Sequence, residues 1–192
     1  MTDLTPPPLT VPNAWDRRGL PAWTYHSQAM FDLECDHVFL NHWQVACHVN
    51  DIPAPGDWRS FDLLGERALV VRGQDGIVRA FHNLCRHRGA RVADGQGGSC
   101  KGAMVCPFHG WVYNLDGTLR GAARPETFGD MNRADFGLKP IEMDIWQGFV
   151  FLRFLPGPQP SVAECLQPYD QDFTDFRATE VLPVGQPGLW GK

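Results

Sequence analysis

Two short pairs of metal-ligating side chains constrain this chain more than any other feature. Cys85 and His87 are separated by one residue; after eighteen more residues come Cys106 and His109, separated by two. A glycine follows each pair, Gly89 and Gly110, and each pair lies where a run of apolar strand residues gives way to a loop, near Leu84 and after Met104-Val105. Any fold that uses both pairs together must bring two loops, distant in sequence, to one place. Loops of the same sulfur-then-nitrogen order can pinch a two-metal cluster between them.

The donor set suits such a cluster. A [2Fe–2S] core takes four protein ligands, and thiolates hold ferric iron well. Replacing two thiolates by neutral imidazoles on one iron raises the potential to about −150 to +300 mV, against roughly −400 mV for an all-cysteine cluster of plant type. Cys85 and Cys106 would bind the inner iron, and His87 and His109 the outer, reducible one. Zinc is the competing occupant, since two cysteines and two histidines also form a zinc set. Zinc knuckles, however, usually pair like with like, whereas each pair here mixes sulfur and nitrogen. Unrelated core residues are the third reading. Cys100 lies in the same loop as Cys106 but has no histidine two or three residues on, and reads as a bystander, as do Cys35, Cys47 and Cys165.

The rest of the chain supplies a β scaffold. Segments 43–49, 57–64, 67–73, 77–84, 104–106, 110–115, 117–122, 138–146 and 148–154 read as short strands, with Asp75-Gly76 and Asp116-Gly117 as tight turns. The expected fold is mainly β, an antiparallel sandwich with an N-terminal helix and a short C-terminal helix and linker. Met30, Phe31, Val38 and Phe39 recur at helical spacing, which predicts one amphipathic helix from Ser27 to Trp43. Before it, Pro6, Pro7, Pro8, Pro12 and Pro21 mark an extended arm. Ser161 and Glu164 stand at capping-box spacing and start a short helix, and the closing VLPVGQPGLWGK reads as a linker. The units are therefore residues 1–43, 44–155 and 156–192.

Composition narrows the role. The net charge of −5 leaves no broad basic field for nucleic acid. The opening MTDLTPPPLT lacks the basic and apolar regions of a secretory signal, and no apolar run is long enough to span a bilayer. A cytoplasmic location without membrane attachment is expected. In that reducing compartment metal binding explains paired cysteines better than disulfides do.

NLCRHRGARV followed by CPFHGWVYNLDGTL resembles the Rieske domain of the α subunits of Rieske non-haem iron oxygenases, which include ring-hydroxylating dioxygenases and quaternary-amine oxygenases. The similarity extends over about residues 27 to 155 and takes in FDLECDHVFLNHW and RALVVRGQDGIVRAFHN. The resemblance implies a Rieske-type β-sandwich with Cys85, His87, Cys106 and His109 as cluster ligands. It also implies that Trp111 and Tyr113 pack beside the cluster and hydrogen-bond near its sulfurs; the alternative is that they are strand residues filling a core. Respiratory-chain Rieske proteins carry an extra disulfide-forming cysteine in each loop; here Ala90 and Phe108 stand at those places, as in the oxygenase or ferredoxin branch. Arg86, Arg88 and Arg91 surround His87 and would either steer an acidic ferredoxin or form a solvated rim.

By resemblance, the chain takes electrons from a ferredoxin or flavin reductase driven by NAD(P)H. It hands them to a mononuclear Fe(II) in the catalytic domain of the same or a neighbouring α subunit, where O₂ attacks an organic substrate. That domain, with its two histidines and a carboxylate, is not found in this sequence, so the chain alone is not expected to oxygenate. Glu34, His37 and His42 imitate its spacing, but on a straight helix His37 and His42 would lie roughly 140° apart. The alternatives are a stand-alone Rieske ferredoxin, which would lack the leader helix and long tail, and a colourless zinc-stabilised interaction module.

Overall fold

The computed structural model describes residues 19–174 and 176–182. Most of the expected proline-rich arm and of the closing Gly/Pro-rich linker lies outside the described residues. The leader helix is shorter than its periodicity suggests. Ser27 caps α1 (Gln28–Glu34), its hydroxyl accepting from the Met30 N–H at 3.3 Å. The backbone then widens over Cys35–Phe39, with the Leu40 N–H bonding five residues back to Cys35 O at 3.1 Å. Leu40 O is taken by the Leu155 N–H at 2.9 Å, so docking on the body ends the helix before Trp43.

Ten described strands follow: β1 (Gln44–His48), β2 (Asp57–Leu63), β3 (Glu66–Arg72), β4 (Val78–His82), β5 (Gly97–Ser99), β6 (Met104–Val105), β7 (Val112–Tyr113), β8 (Leu119–Gly121), β9 (Glu142–Trp146) and β10 (Phe149–Arg153). They form three antiparallel sheets, ordered β1-β10-β9, β4-β3-β2-β5 and β6-β7-β8. Nine match the expected segments. The tenth, β5, is a Gly-Gly-Ser stretch that pairs with the edge of β2 and carries no strand signal of its own.

The four-stranded sheet is the middle layer, and β3 shows why. Successive side chains of a strand point to opposite faces. Ala68 and Val70 enter one core with Val150, Leu152 and Ile141 of the β1-β10-β9 side. Leu69 and Val71 enter a second core with Cys85, Cys106, Trp111 and Tyr113. The unbroken run Ala-Leu-Val-Val is the sequence mark of a strand buried on both faces.

Tight turns set the register. Leu64 and Gly65 between β2 and β3, and Gln147 and Gly148 between β9 and β10, all have positive φ, the conformation that matches strand twist in two-residue hairpins. The two expected Asp-Gly turns share one design, in which the Asp75 and Asp116 carboxylates accept from the N–H of Ile77 (3.0 Å) and Thr118 (2.9 Å). After β10, Ser161 and Glu164 form the expected capping box at the start of α2 (Val162–Leu166), and α3 (Asp170–Thr174) follows. No helix among the described residues is long and apolar enough to cross a membrane.

Candidate metal centre

The two ligand loops are near copies of each other. The first leaves β4. The Cys85 N–H bonds Ala90 O at 2.7 Å and the Gly89 N–H bonds Cys85 O at 2.8 Å. The second joins β6 to β7. The Cys106 N–H bonds Trp111 O at 2.8 Å and the Gly110 N–H bonds Cys106 O at 3.0 Å. In each the cysteine N–H reaches five residues ahead, and a glycine four residues on turns the chain back. Both glycines have φ +69°, a conformation that favours glycine.

Asn83 anchors the first loop. It is fully buried, and its side chain accepts from the N–H groups of Val92 (2.9 Å) and Ala93 (3.0 Å) and donates to Ala93 O (2.7 Å). One side chain thus closes the base of the loop from both ends. Sequence reasoning missed it, because an asparagine at a strand end is an ordinary turn residue.

The loops bring the four candidate ligands together two and two. Cys85 and Cys106 are free thiols, 3% and 1% exposed, facing the core. His87 and His109 lie outward of them, ring centroids 4.6 Å apart. No three Cys, His, Asp or Glu side chains among the described residues converge as around a single ion. The arrangement suits an inner metal at the thiols and an outer one at the imidazoles. His87 Nδ1 is buried with no hydrogen-bond partner among the described residues, the state of a nitrogen shaped to donate its lone pair to a metal.

The surroundings bear on protonation. Burial raises the Cys85 pKa, opposed by a hydrogen-bond contact at 3.3 Å with the Tyr113 hydroxyl. That oxygen also accepts from the Arg86 N–H at 2.9 Å, which fixes it at the root of the loop. Tyr113 itself is pushed upward by burial and by Cys85. Burial, then His109 and Arg88, lower the His87 pKa and favour the neutral imidazole that a metal requires.

Trp111 is buried and stacks on His87 at 5.2 Å with 5° between the planes. Phe128 stands edge-on to both His87 (5.6 Å) and Trp111 (5.5 Å), and Phe136 edge-on to Trp111. Both phenylalanines come from a connection without periodic pattern, where no sequence signal singled them out. Of the three arginines near His87, Arg91 is engaged by Asp62 (3.0 Å), while Arg86 and Arg88 are exposed.

The remaining candidates stay apart. Glu34 ends α1, His37 lies in the widened turn, and His42 Nδ1 meets Gln159 Oε1 at 3.0 Å. His48 Nδ1 accepts from the Asn50 N–H, and His82 faces Glu66. Cys100 donates to Gly56 O, and burial pushes the Cys47 thiol up to about 12.

Residues 42–133, which contain both loops, match the Rieske [2Fe-2S] domain family. The glycine betaine monooxygenase oxygenase subunit of Pseudomonas aeruginosa is 34% identical over 161 residues, 80% of this chain and 37% of that protein. The carnitine monooxygenase oxygenase subunit of Escherichia coli K12 is 31% identical over 81% of this chain and 42% of its own length. Among solved structures, the apo form of a quaternary ammonium Rieske monooxygenase, CntA, superposes with a TM-score of 0.75 at 26% identity, over 82% of this chain and 45% of that one. The chain spans about two-fifths of the length of these curated relatives.

Proposed function

We propose that this chain, which belongs to the Rieske [2Fe–2S] domain family, holds its cluster with Cys85 and Cys106 on an inner iron and His87 and His109 on an outer one, and passes single electrons. The observation that carries the assignment is the pair of matching loops, with thiols inward, imidazoles outward and the His87 Nδ1 buried and unpartnered. Bound there, the cluster supplies one-electron chemistry at a potential raised by its two neutral ligands.

The protein's own residues supply position and environment. Asn83 and the two glycines fix the loops, Tyr113 orients toward the Cys85 sulfur, and Trp111 with Phe128 covers one face of His87. As in the named relatives, the electrons would serve an oxygenase. The donor is a ferredoxin or a flavin reductase driven by NAD(P)H. The acceptor is a mononuclear Fe(II) borne by a catalytic domain of the same or a neighbouring α subunit. The relatives' names support quaternary ammonium compounds as the substrate class. The described cysteines are all free, in keeping with a cytoplasmic setting.

Reconstitution with iron and sulfide tests the reading. A red-brown protein with labile sulfide and a low-average-g reduced EPR signal is expected. In the His109→Cys variant, an added thiolate charge should move the midpoint potential toward about −400 mV. A colourless protein that takes up zinc but neither iron nor sulfide would refute the assignment.

A further inference from the structure

A histidine ring turns readily about its last side-chain bond, because that torsion is broad and only roughly two-fold. Metal-ligating histidines are held in plane by a hydrogen bond from the second ring nitrogen to a carboxylate, carbonyl or water. His87 makes no hydrogen bond among the described residues. Aromatic neighbours set its plane instead. Trp111 lies parallel to it, 5° away, and Phe128 stands across both rings at 86° and 82°. The three centroids form a nearly equilateral triangle, with sides of 5.2, 5.6 and 5.5 Å. A turn of the His87 ring would break its stack on Trp111 and drive it against Phe128. The neighbour of His109 is looser: Phe108 is tilted by 42° and is 62% exposed.

The two walls of this frame differ. Trp111 is buried, and Phe136 braces it edge-on from the far side. Phe128 arrives on a surface turn, and residues 123–130 are all exposed. A single helical turn over Pro125–Phe128 lies between Arg124 (φ 53°) and Gly129 (φ 60°), both in the left-handed region. The Thr127 N–H and hydroxyl donate back to Arg124 O at 3.0 and 2.8 Å, which closes the turn on itself. Among the described residues, no hydrogen bond or ion pair joins 123–130 to the β body. The Phe128 ring is what ties this turn to the site.

We propose that Phe128 is a positioning residue for His87: its ring completes an aromatic frame that fixes the plane of this imidazole in place of a hydrogen bond. The inference rests on the ligand assignment above and deepens it. Phe128 touches the ligand and not the metal site itself, so it acts through the orientation of His87.

The test uses the cluster-loaded protein. Pulsed EPR of the reduced state resolves the couplings of the two ligand nitrogens, which depend on the orientation of each imidazole. Phe128→Ala should spread one of the two couplings and leave the other sharp. Bleaching by an iron chelator should run about fivefold faster, the effect of one aromatic pair. Phe128→Tyr, another flat ring, should restore both readouts, and Phe128→Leu, apolar but not planar, should not. Gly129→Ala leaves all three rings intact. A side chain there meets nothing within 4 Å, so the substitution acts only by straining a left-handed backbone. It should move both readouts in the direction of Phe128→Ala, and it covers the case in which that variant fails to fold. Gly121→Ala, where a side chain also meets nothing and the backbone is not left-handed, should change neither. Unchanged nitrogen couplings in Phe128→Ala and Gly129→Ala, with the visible spectrum intact, would overturn the positioning role, and faster bleaching alone would make Phe128 a cover only. Parent couplings in Phe128→Leu would overturn it as well. A parent without cluster bands would instead overturn the underlying reading.

Discussion

The Tyr113 hydroxyl is the residue through which the protein most directly touches the chemistry of its site. It contacts Cys85 Sγ at 3.3 Å and accepts from the Arg86 N–H at 2.9 Å, so its own proton is free to point at sulfur. A hydrogen bond to a thiolate stabilises the more negative, reduced cluster and raises its potential. Tyr113→Phe should therefore lower the midpoint potential by about 20–60 mV, a net hydrogen bond of roughly 0.5–1.5 kcal/mol expressed for one electron. Protein-film voltammetry reads the shift directly, and an unchanged or raised potential would remove Tyr113 from this role. Sequence spacing alone led to the four candidate ligands. Tyr113 and Trp111 were reached through family likeness. Asn83 and Phe128 were not reached, because their importance arises from partners nine or more residues away in the chain.

At the scale of elements, the Asp-Gly turns give a pH dependence whose sign can be worked out. Asp75 accepts from Arg79 and from the Ile77 N–H, and its pKa falls to about 2. An unfolded aspartate titrates near ~3.9. The contribution of this carboxylate is thus complete above about pH 4 and is lost as the pH falls through about 2. Asp75→Asn should remove that segment of the stability curve and leave the curve above pH 5 parallel to the parent, as acid titration followed by circular dichroism will show. Because the group is solvent-exposed, the effect will shrink with added salt. These turns were legible because Asp-Gly announces itself. The Leu64-Gly65 and Gln147-Gly148 turns carry weaker signals, and β5 carries none, since its place in the sheet is fixed by the edge of β2 rather than by its own side chains. The leader helix was legible in position but not in length, because the contact between Leu40 and Leu155 that ends it is tertiary.

For the whole molecule, the middle sheet divides two cores with different duties. Val70 and Leu69 are neighbours on β3, both fully buried, yet they face different layers. Val70→Ala should cost about 1–2.5 kcal/mol in urea unfolding with no change in the visible spectrum. Leu69→Ala should cost about 2–4 kcal/mol and also speed cluster loss, because its core includes both thiols. Equal rates of bleaching in the two variants would show that the layers are not independent in this way.

A strand that is greasy on both sides has a further consequence. Where one face is wet, a slip of one residue is punished at once by burying polar groups; in Ala68–Val71 a slip would merely exchange one oily set for another. Alignment of β3 therefore depends on the hairpin bends at its two ends, not on its own composition. Lineages that descend from this chain should accept changed side chains within the strand more readily than added or deleted residues at Leu64-Gly65 or Gly73–Gly76, since a single extra link there would shift the whole frame on which the two loops are mounted.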